Sequence, residues 1–176
     1  RGYAGRIAGG IFKKGDEVVV LPSGIQSKIK SIINFNKEIE EAHAPMSITI
    51  TLSDDMDISR GDMIVRENNK PRMLKEIELM ICWLGESPLT EKGKYAIKHT
   101  SNEVRGIVKE ILYKIDINSL HRNVDDKEIN CNDIARVSIK LSQPLLVDKY
   151  NDNRSTGSLI LIDENTNNTV GAGMII

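Results

Sequence analysis

Four stretches of this sequence alternate apolar and polar residues with a strict period of two. In Ser47–Leu52 (SITITL) Ile48, Ile50 and Leu52 fall on one side, and Ser47, Thr49 and Thr51 on the other. Residues 76–84 (EIELMICWL) align Ile77, Leu79, Ile81 and Trp83, and residues 111–117 (ILYKIDI) align Ile111, Tyr113, Ile115 and Ile117. Residues 134–141 (IARVSIKL) align Ala135, Val137, Ile139 and Leu141. Successive strand side chains point to opposite faces, so this pattern suits half-buried antiparallel strands, wet on one side. The 25 Ile and 10 Val reinforce it, because branched side chains sit better on a pleated sheet than in a helix. No 12-residue segment shows convincing 3.6 periodicity; the nearest, residues 36–44, is short and ends before Pro45.

Turn signals separate the strands at short spacing: Lys14-Gly15-Asp16, Pro22-Ser23-Gly24, Arg60-Gly61-Asp62, Ser101-Asn102 and the run 164–168. Many short strands with regular turns predict an all-β chain of barrels, which remove sheet edges. The polar, proline-bearing stretch 66–73 (RENNKPRM) reads as a linker, giving a first barrel over residues 1–68 and a second over 69–176. A domain of about 60 residues buries only about 60% of its unfolded surface, so the smaller barrel is expected to lean on a neighbour.

The charge balance narrows the function classes. With 24 basic and 25 acidic residues the chain lacks the clustered cations of a general nucleic-acid binder. No run of 18 apolar residues offers a membrane span. The opening RGYAGRIAGG has neither Met nor an apolar leader, so Arg1 reads as a cut point inside a longer protein. Cys82 and Cys131 are too few and too far apart for a disulfide framework. Cys82, inside an apolar strand, reads as a small buried hydrophobe, and a cytoplasmic, reducing location is expected.

The familiar patterns of catalysis are missing. No P-loop occurs; in GESPLTEKGKY seven residues separate Gly85 from Gly93, and Tyr95 stands where a hydroxyl residue belongs. No Asp lies three residues before a Gly, and Asn36-Lys37 lacks the following Asp that would read guanine. His43, His99 and His121 show no ligand spacing with the cysteines. The acids at 54–57 and Asp125-Asp126 lie in solvated turns, and Arg60-Gly61-Asp62 reads as a tight turn rather than an adhesion motif. The sequence therefore offers no catalytic, cofactor-binding or metal-ligating residue. Gly171 and Gly173 stand in a strand near the end, where glycine suits a close approach or a bulge.

The order of the first block is informative. RGYAGRIAGGIFKKGDEVVVLPSG is followed by SKIKSI, KEIEEAHA, SITITL and ISRGDMIV. This resembles the second domain of translational GTPases, the β-barrel after the G domain of elongation factor Tu. The second block resembles their third domain, and TNNTVGAGMII resembles the last strand of that factor. Within the superfamily the stretches GDEVVVLPSG, YKIDINSLHR, NDIARVSIKLSQPLLVDKY and NRSTGSLILIDENTNNTVGAGMI look like the large, GTP-binding subunit of bacterial sulfate adenylyltransferase.

That resemblance implies a parent enzyme joining ATP and sulfate into adenylyl sulfate and pyrophosphate. Its small subunit performs the adenylyl transfer, and the large subunit couples it to GTP hydrolysis. GTP and Mg2+ would be held by an N-terminal G domain, so no cofactor is expected on residues 1–176, and the fragment alone is expected to be inactive. The implied partners are that G domain and the small catalytic subunit, with segment 3–10 and the second barrel as contact regions. An elongation-factor-like pair of barrels, binding tRNA or ribosome, is the alternative reading.

Overall fold

The computed structural model describes all 176 residues, Arg1–Ile176, and contains strands and turns with no helix. The chain divides into two compact units, Arg1–Pro71 and Arg72–Ile176, so the break falls inside the polar stretch 66–73.

The first unit holds eight strands: β1 (Gly2–Arg6), β2 (Ile11–Lys13), β3 (Glu17–Leu21), β4 (Ile25–Asn34), β5 (Lys37–Ile39), β6 (Glu41–His43), β7 (Ser47–Leu52) and β8 (Met63–Val65). All pair antiparallel, in the order β1-β7-β4-β3-β8 with β5 on β4, and β2 pairs β6 as a separate ribbon. The alternation in β7 works as expected: Ile48, Ile50 and Leu52 are buried with Val18, Val20, Ile29 and Ile32. Ala42 of β6 and Phe12 of β2 pack on the same cluster, so the ribbon covers the core that the main sheet wraps.

The second unit holds β9 (Arg72–Trp83), β10 (Lys94–His99), β11 (Asn102–Ile115), β12 (Arg122–Asn123), β13 (Ile134–Val147), β14 (Ser158–Ile162) and β15 (Thr169–Ile175). Its ladder runs β10-β14-β15-β9-β13-β11, and β11 pairs back to β10, closing six antiparallel strands into a barrel. Closure removes the exposed edges that would otherwise recruit other strands. Ile77, Leu79, Ile81 and Trp83 of β9 point inward with Ala135, Val137, Ile139 and Leu141 of β13, as their period predicts. Trp83 donates its indole N–H to the Ser87 carbonyl at 2.8 Å and meets Tyr95 edge-on, with ring centroids 5.5 Å apart. Pro144, which can donate no ladder hydrogen bond, sits where the β13–β9 register jumps between Lys140 and Leu145.

One expected face is broken. In β11, Ile111 opposes Val137 and points into the core, but Tyr113 opposes Arg136 on the outside. A register shift between Ile111 and Tyr113 inserts Leu112 as an extra residue and reverses the alternation. Side chains satisfy the displaced backbone: the Glu91 carboxylate accepts from the Ile111 N–H at 3.1 Å, and the Lys127 ammonium donates to the carbonyls of Ile111 and Leu112.

Candidate functional site

Since Ile81 and Trp83 face the core, Met80 and Cys82 must face outward. Across the ladder Ile160 opposes Ala172, Ala172 opposes Cys82, and Cys82 opposes Ile134. One apolar rung thus crosses β14, β15, β9 and β13 on the outside of the barrel. The next rung places Ser158 opposite Met174 and Met174 opposite Met80. Ala172 is short between taller neighbours, and it floors a shallow groove of about 590 Å³ with Lys98, Thr100, Tyr150 and Ser155 along its margins. Lys98 is the only charged side chain lining it.

The Gly-Ala-Gly sequence supplies both sides of this wall. A Cβ at Gly171 would lie 2.9 Å from Ile81 Cδ1 and 3.2 Å from Trp83 Cε3. One at Gly173 would lie 3.1 Å from Leu79 Cδ1 and 3.3 Å from Leu159 Cδ1. The glycines make room inside for the large β9 side chains, while Ala172 keeps the outer floor low. The strand also carries a bulge: Leu161 opposes Gly171 and Ile162 opposes Thr169, leaving Val170 unpaired in register.

A looped segment between β13 and β14 borders the groove. Thr156 Oγ1 donates to Asp148 Oδ2 at 2.6 Å, and the Asn153 side-chain oxygen accepts from the N–H groups of Ser155 and Thr156. His99 is fully buried beneath it, and its Nε2 donates to the Thr156 carbonyl at 2.7 Å. A carbonyl only accepts, so Nε2 carries the hydrogen and Nδ1 is a lone-pair acceptor, buried without a partner. Burial pushes this imidazole below its ordinary value of 6.5. His99 is a neutral post under the loop, with no opening through which to reach a substrate.

The other singled-out residues are spread apart. His43 and His121 are exposed, as is Cys131. No three His, Cys, Asp or Glu side chains form a metal-sized group. Asp54 accepts from Ser27 Oγ at 2.7 Å, and Asp57 holds the Arg1 guanidinium at 2.6 Å with Asp55 at 3.8 Å. Asp62 accepts from the Ser59 N–H at 2.8 Å beside Gly61 at φ 101°, so its carboxylate is folded into its own turn. Cys82 is corrected: the alternation that buries Trp83 turns it outward, half-buried in the groove wall. The groove residues Met80, Ile160, Ala172 and Met174 were not recognised from sequence. Their signal was present, because Met80 and Cys82 occupy positions in β9 where an outward face should be polar.

Against this geometry, the family model described as GTP-eEF1A C-terminal domain-like matches residues 76–176, more than half of the chain. The chain belongs to the GTP-eEF1A C-terminal domain-like family. The match covers the closed barrel and all of its groove-lining strands from Glu76 onward. Over its whole length the chain is 45% identical to the bifunctional enzyme CysN/CysC of Mycobacterium tuberculosis, of which it covers 29%. It is 44% identical to sulfate adenylyltransferase subunit 1 of a Sulfurovum species, of which it covers 38%. It therefore spans roughly a third of the length of these relatives. Among solved structures, sup35 complexed with GMPPNP superposes on 99% of the chain with a TM-score of 0.87 at 18% identity, the match covering 43% of sup35. The apo elongation factor SelB of Methanococcus maripaludis gives 0.80 at 22% identity, over 99% of this chain and 38% of that one. At those identities the likeness is one of fold. No helix of the chain is long and apolar enough to cross a membrane.

Proposed function

We propose that this chain is the pair of barrels following the G domain in the GTP-hydrolysing subunit of a sulfate adenylyltransferase. In such an enzyme ATP and sulfate become adenylyl sulfate and pyrophosphate on the small subunit, in the cytoplasm. The anhydride formed is high in energy, so the step needs coupling to GTP hydrolysis. The observation carrying this reading is identity over the whole chain, both barrels included, of 44% to a protein named sulfate adenylyltransferase subunit 1 and of 45% to a bifunctional enzyme CysN/CysC. In this reading the nucleotide chemistry belongs to the G domain and the small subunit, and no step of it is assigned to residues 1–176.

Their role is mechanical. Coupling requires a surface that binds one nucleotide state of the G domain better than the other. The groove over Ala172 has the character such a surface needs, being apolar, shallow, and lined by the adaptable sulfur side chains of Met80, Cys82 and Met174. We assign it as the seat of the parent's G domain.

The test uses the full-length parent with its small subunit. GTP-dependent formation of adenylyl sulfate is expected, and Ala172→Arg, which fills the groove floor, should leave GTP hydrolysis running while uncoupling it from adenylyl transfer. A wild-type parent whose small subunit works equally well without GTP would sink the reading. Residues 1–176 alone should show no GTP binding by titration calorimetry.

A further inference from the structure

The outward face of β9 changes character along its length. Glu76 and Glu78 come first, held by Lys109 Nζ at 2.6 Å and by Arg136 Nε at 3.0 Å. Met80 and Cys82 take the next two outward positions. Their partners across the ladder in β15 are Met174 and Ala172. The four make a two-by-two block in which three corners carry sulfur and the fourth carries only a methyl group. Outward residues directly opposite have Cβ atoms about 4.5–5.5 Å apart, and diagonal ones about 7–8 Å. The two thioethers stand on unbranched arms with three rotatable bonds, long enough to bring all three sulfurs to one point above Ala172. Met174 is 42% exposed and Cys82 is half-buried, so the block is open to an ion from solvent.

We propose that Met80, Cys82 and Met174 form a binding site for a soft monovalent metal ion, Cu(I). This inference goes beyond the function proposed above and does not depend on it; an ion and a seated protein would compete for the same groove. The donor set decides the class of ion. Thiolate and thioether sulfur select Cu(I), whereas Mg2+, Ca2+ and Mn2+ take carboxylate, carbonyl or water oxygen. No carboxylate and no imidazole lines the groove, and its one charged side chain, Lys98, is a cation. A divalent ion on a single thiolate would keep a positive charge in that groove. Cu(I) on the Cys82 thiolate is neutral. Binding replaces the S–H bond of Cys82 with a Cu–S bond, releases the proton to water and adds a lone pair from each thioether; no electron is transferred. Met80 gives up one contact in the process. Its Sδ accepts from the Tyr113 hydroxyl at 4.0 Å, a long and therefore weak hydrogen bond.

The test uses the whole chain in the Cys131→Ser background, which removes the other, exposed thiol. Without oxygen, Cu(I) titrated against a chromogenic Cu(I) chelator should load a single ion. Losing an outer-shell partner alone costs a metal site about 10–100-fold, so Cys82→Ser and the near-isosteric pair Met80→Leu/Met174→Leu should each weaken binding at least about tenfold. A second measurement leaves the site intact. With air-stable Ag(I) as the probe and 13C-methyl methionine in the protein, the methyl signals of Met80 and Met174 should move. Those of Met46, Met56, Met63 and Met73 should stay in place. No uptake of Cu(I), undiminished affinity in the leucine pair, unmoved Met80 and Met174 signals, or Zn(II) held as tightly as Cu(I) would each overturn the site.

Discussion

A Cβ at Gly157 would stand 2.5 Å from the Tyr150 amide nitrogen and 2.6 Å from the Asn153 carbonyl oxygen. Those atoms are backbone, held in place because the Gly157 N–H donates to Asn153 O and the Gly157 carbonyl accepts from Ile175, both at 2.8 Å. The obstacle at Gly171 differs in kind, being the end of the Ile81 side chain and the Trp83 ring. Gly157→Ala is therefore expected to destabilise by about 3 kcal/mol or more, and Gly171→Ala by about 1–2 kcal/mol, on the scale of overpacked sites. Urea unfolding of the two variants checks the order; equal losses would mean that the 149–157 loop yields as easily as a side chain. His99 gives the second expectation at this scale. Its folded value lies below the ordinary 6.5, so on acidification the unfolded chain takes up the proton first. The stability due to the neutral imidazole is complete above pH 6.5 and is lost as pH falls from there toward the folded value. His99→Gln keeps a donor for Thr156 O and should flatten the pH dependence of the unfolding free energy below the ordinary imidazole value of 6.5. An unchanged slope in that variant would assign the dependence to other groups.

At the scale of the element, the bulge in β11 is held by side chains from two other segments. Lys127→Met removes the donor to the Ile111 and Leu112 carbonyls, and Glu91→Leu removes the acceptor of the Ile111 N–H. Each should cost about 1–3 kcal/mol, the range for a buried group left unpaired. Hydrogen exchange should show lost protection over 110–115 before the rest of the barrel; protection lost evenly would contradict a local clamp. The same bulge marks where the sequence stops being legible. In β7, β9 and β13 the period-two pattern named the inward residues correctly, because nothing interrupts the pleat across Ile48 to Leu52, Ile77 to Trp83 or Ala135 to Leu141. In β11 the expected face of Ile111 and Tyr113 failed at Leu112, since an inserted residue is stabilised by Glu91 and Lys127, far away in the chain. The Gly-Ala-Gly strand was readable as a place of close approach. Which bulk approached it depended on register with β9, and so the outward floor at Ala172 emerged only once the barrel was closed.

At the scale of the whole molecule, the two units differ in how they complete their sheets. The second closes its six-strand ring around a core containing Trp83, Ile97, Ile111 and Leu141. In the first, the main ladder ends at β1 and β8, and a short ribbon covers the remaining core. At 71 residues the first unit also buries a smaller fraction of its surface than a larger domain can. The second unit should therefore be the more stable. The chain contains a single tryptophan, Trp83, and it lies in that unit, so its fluorescence reports the second barrel alone while far-ultraviolet circular dichroism reports both. On urea titration the dichroism change should begin at lower denaturant than the fluorescence change. Residues 72–176 expressed alone should reproduce the fluorescence transition at the same midpoint. Coincident transitions in the full chain, together with loss of the fluorescence transition in 72–176, would instead mean that the units fold as one cooperative body.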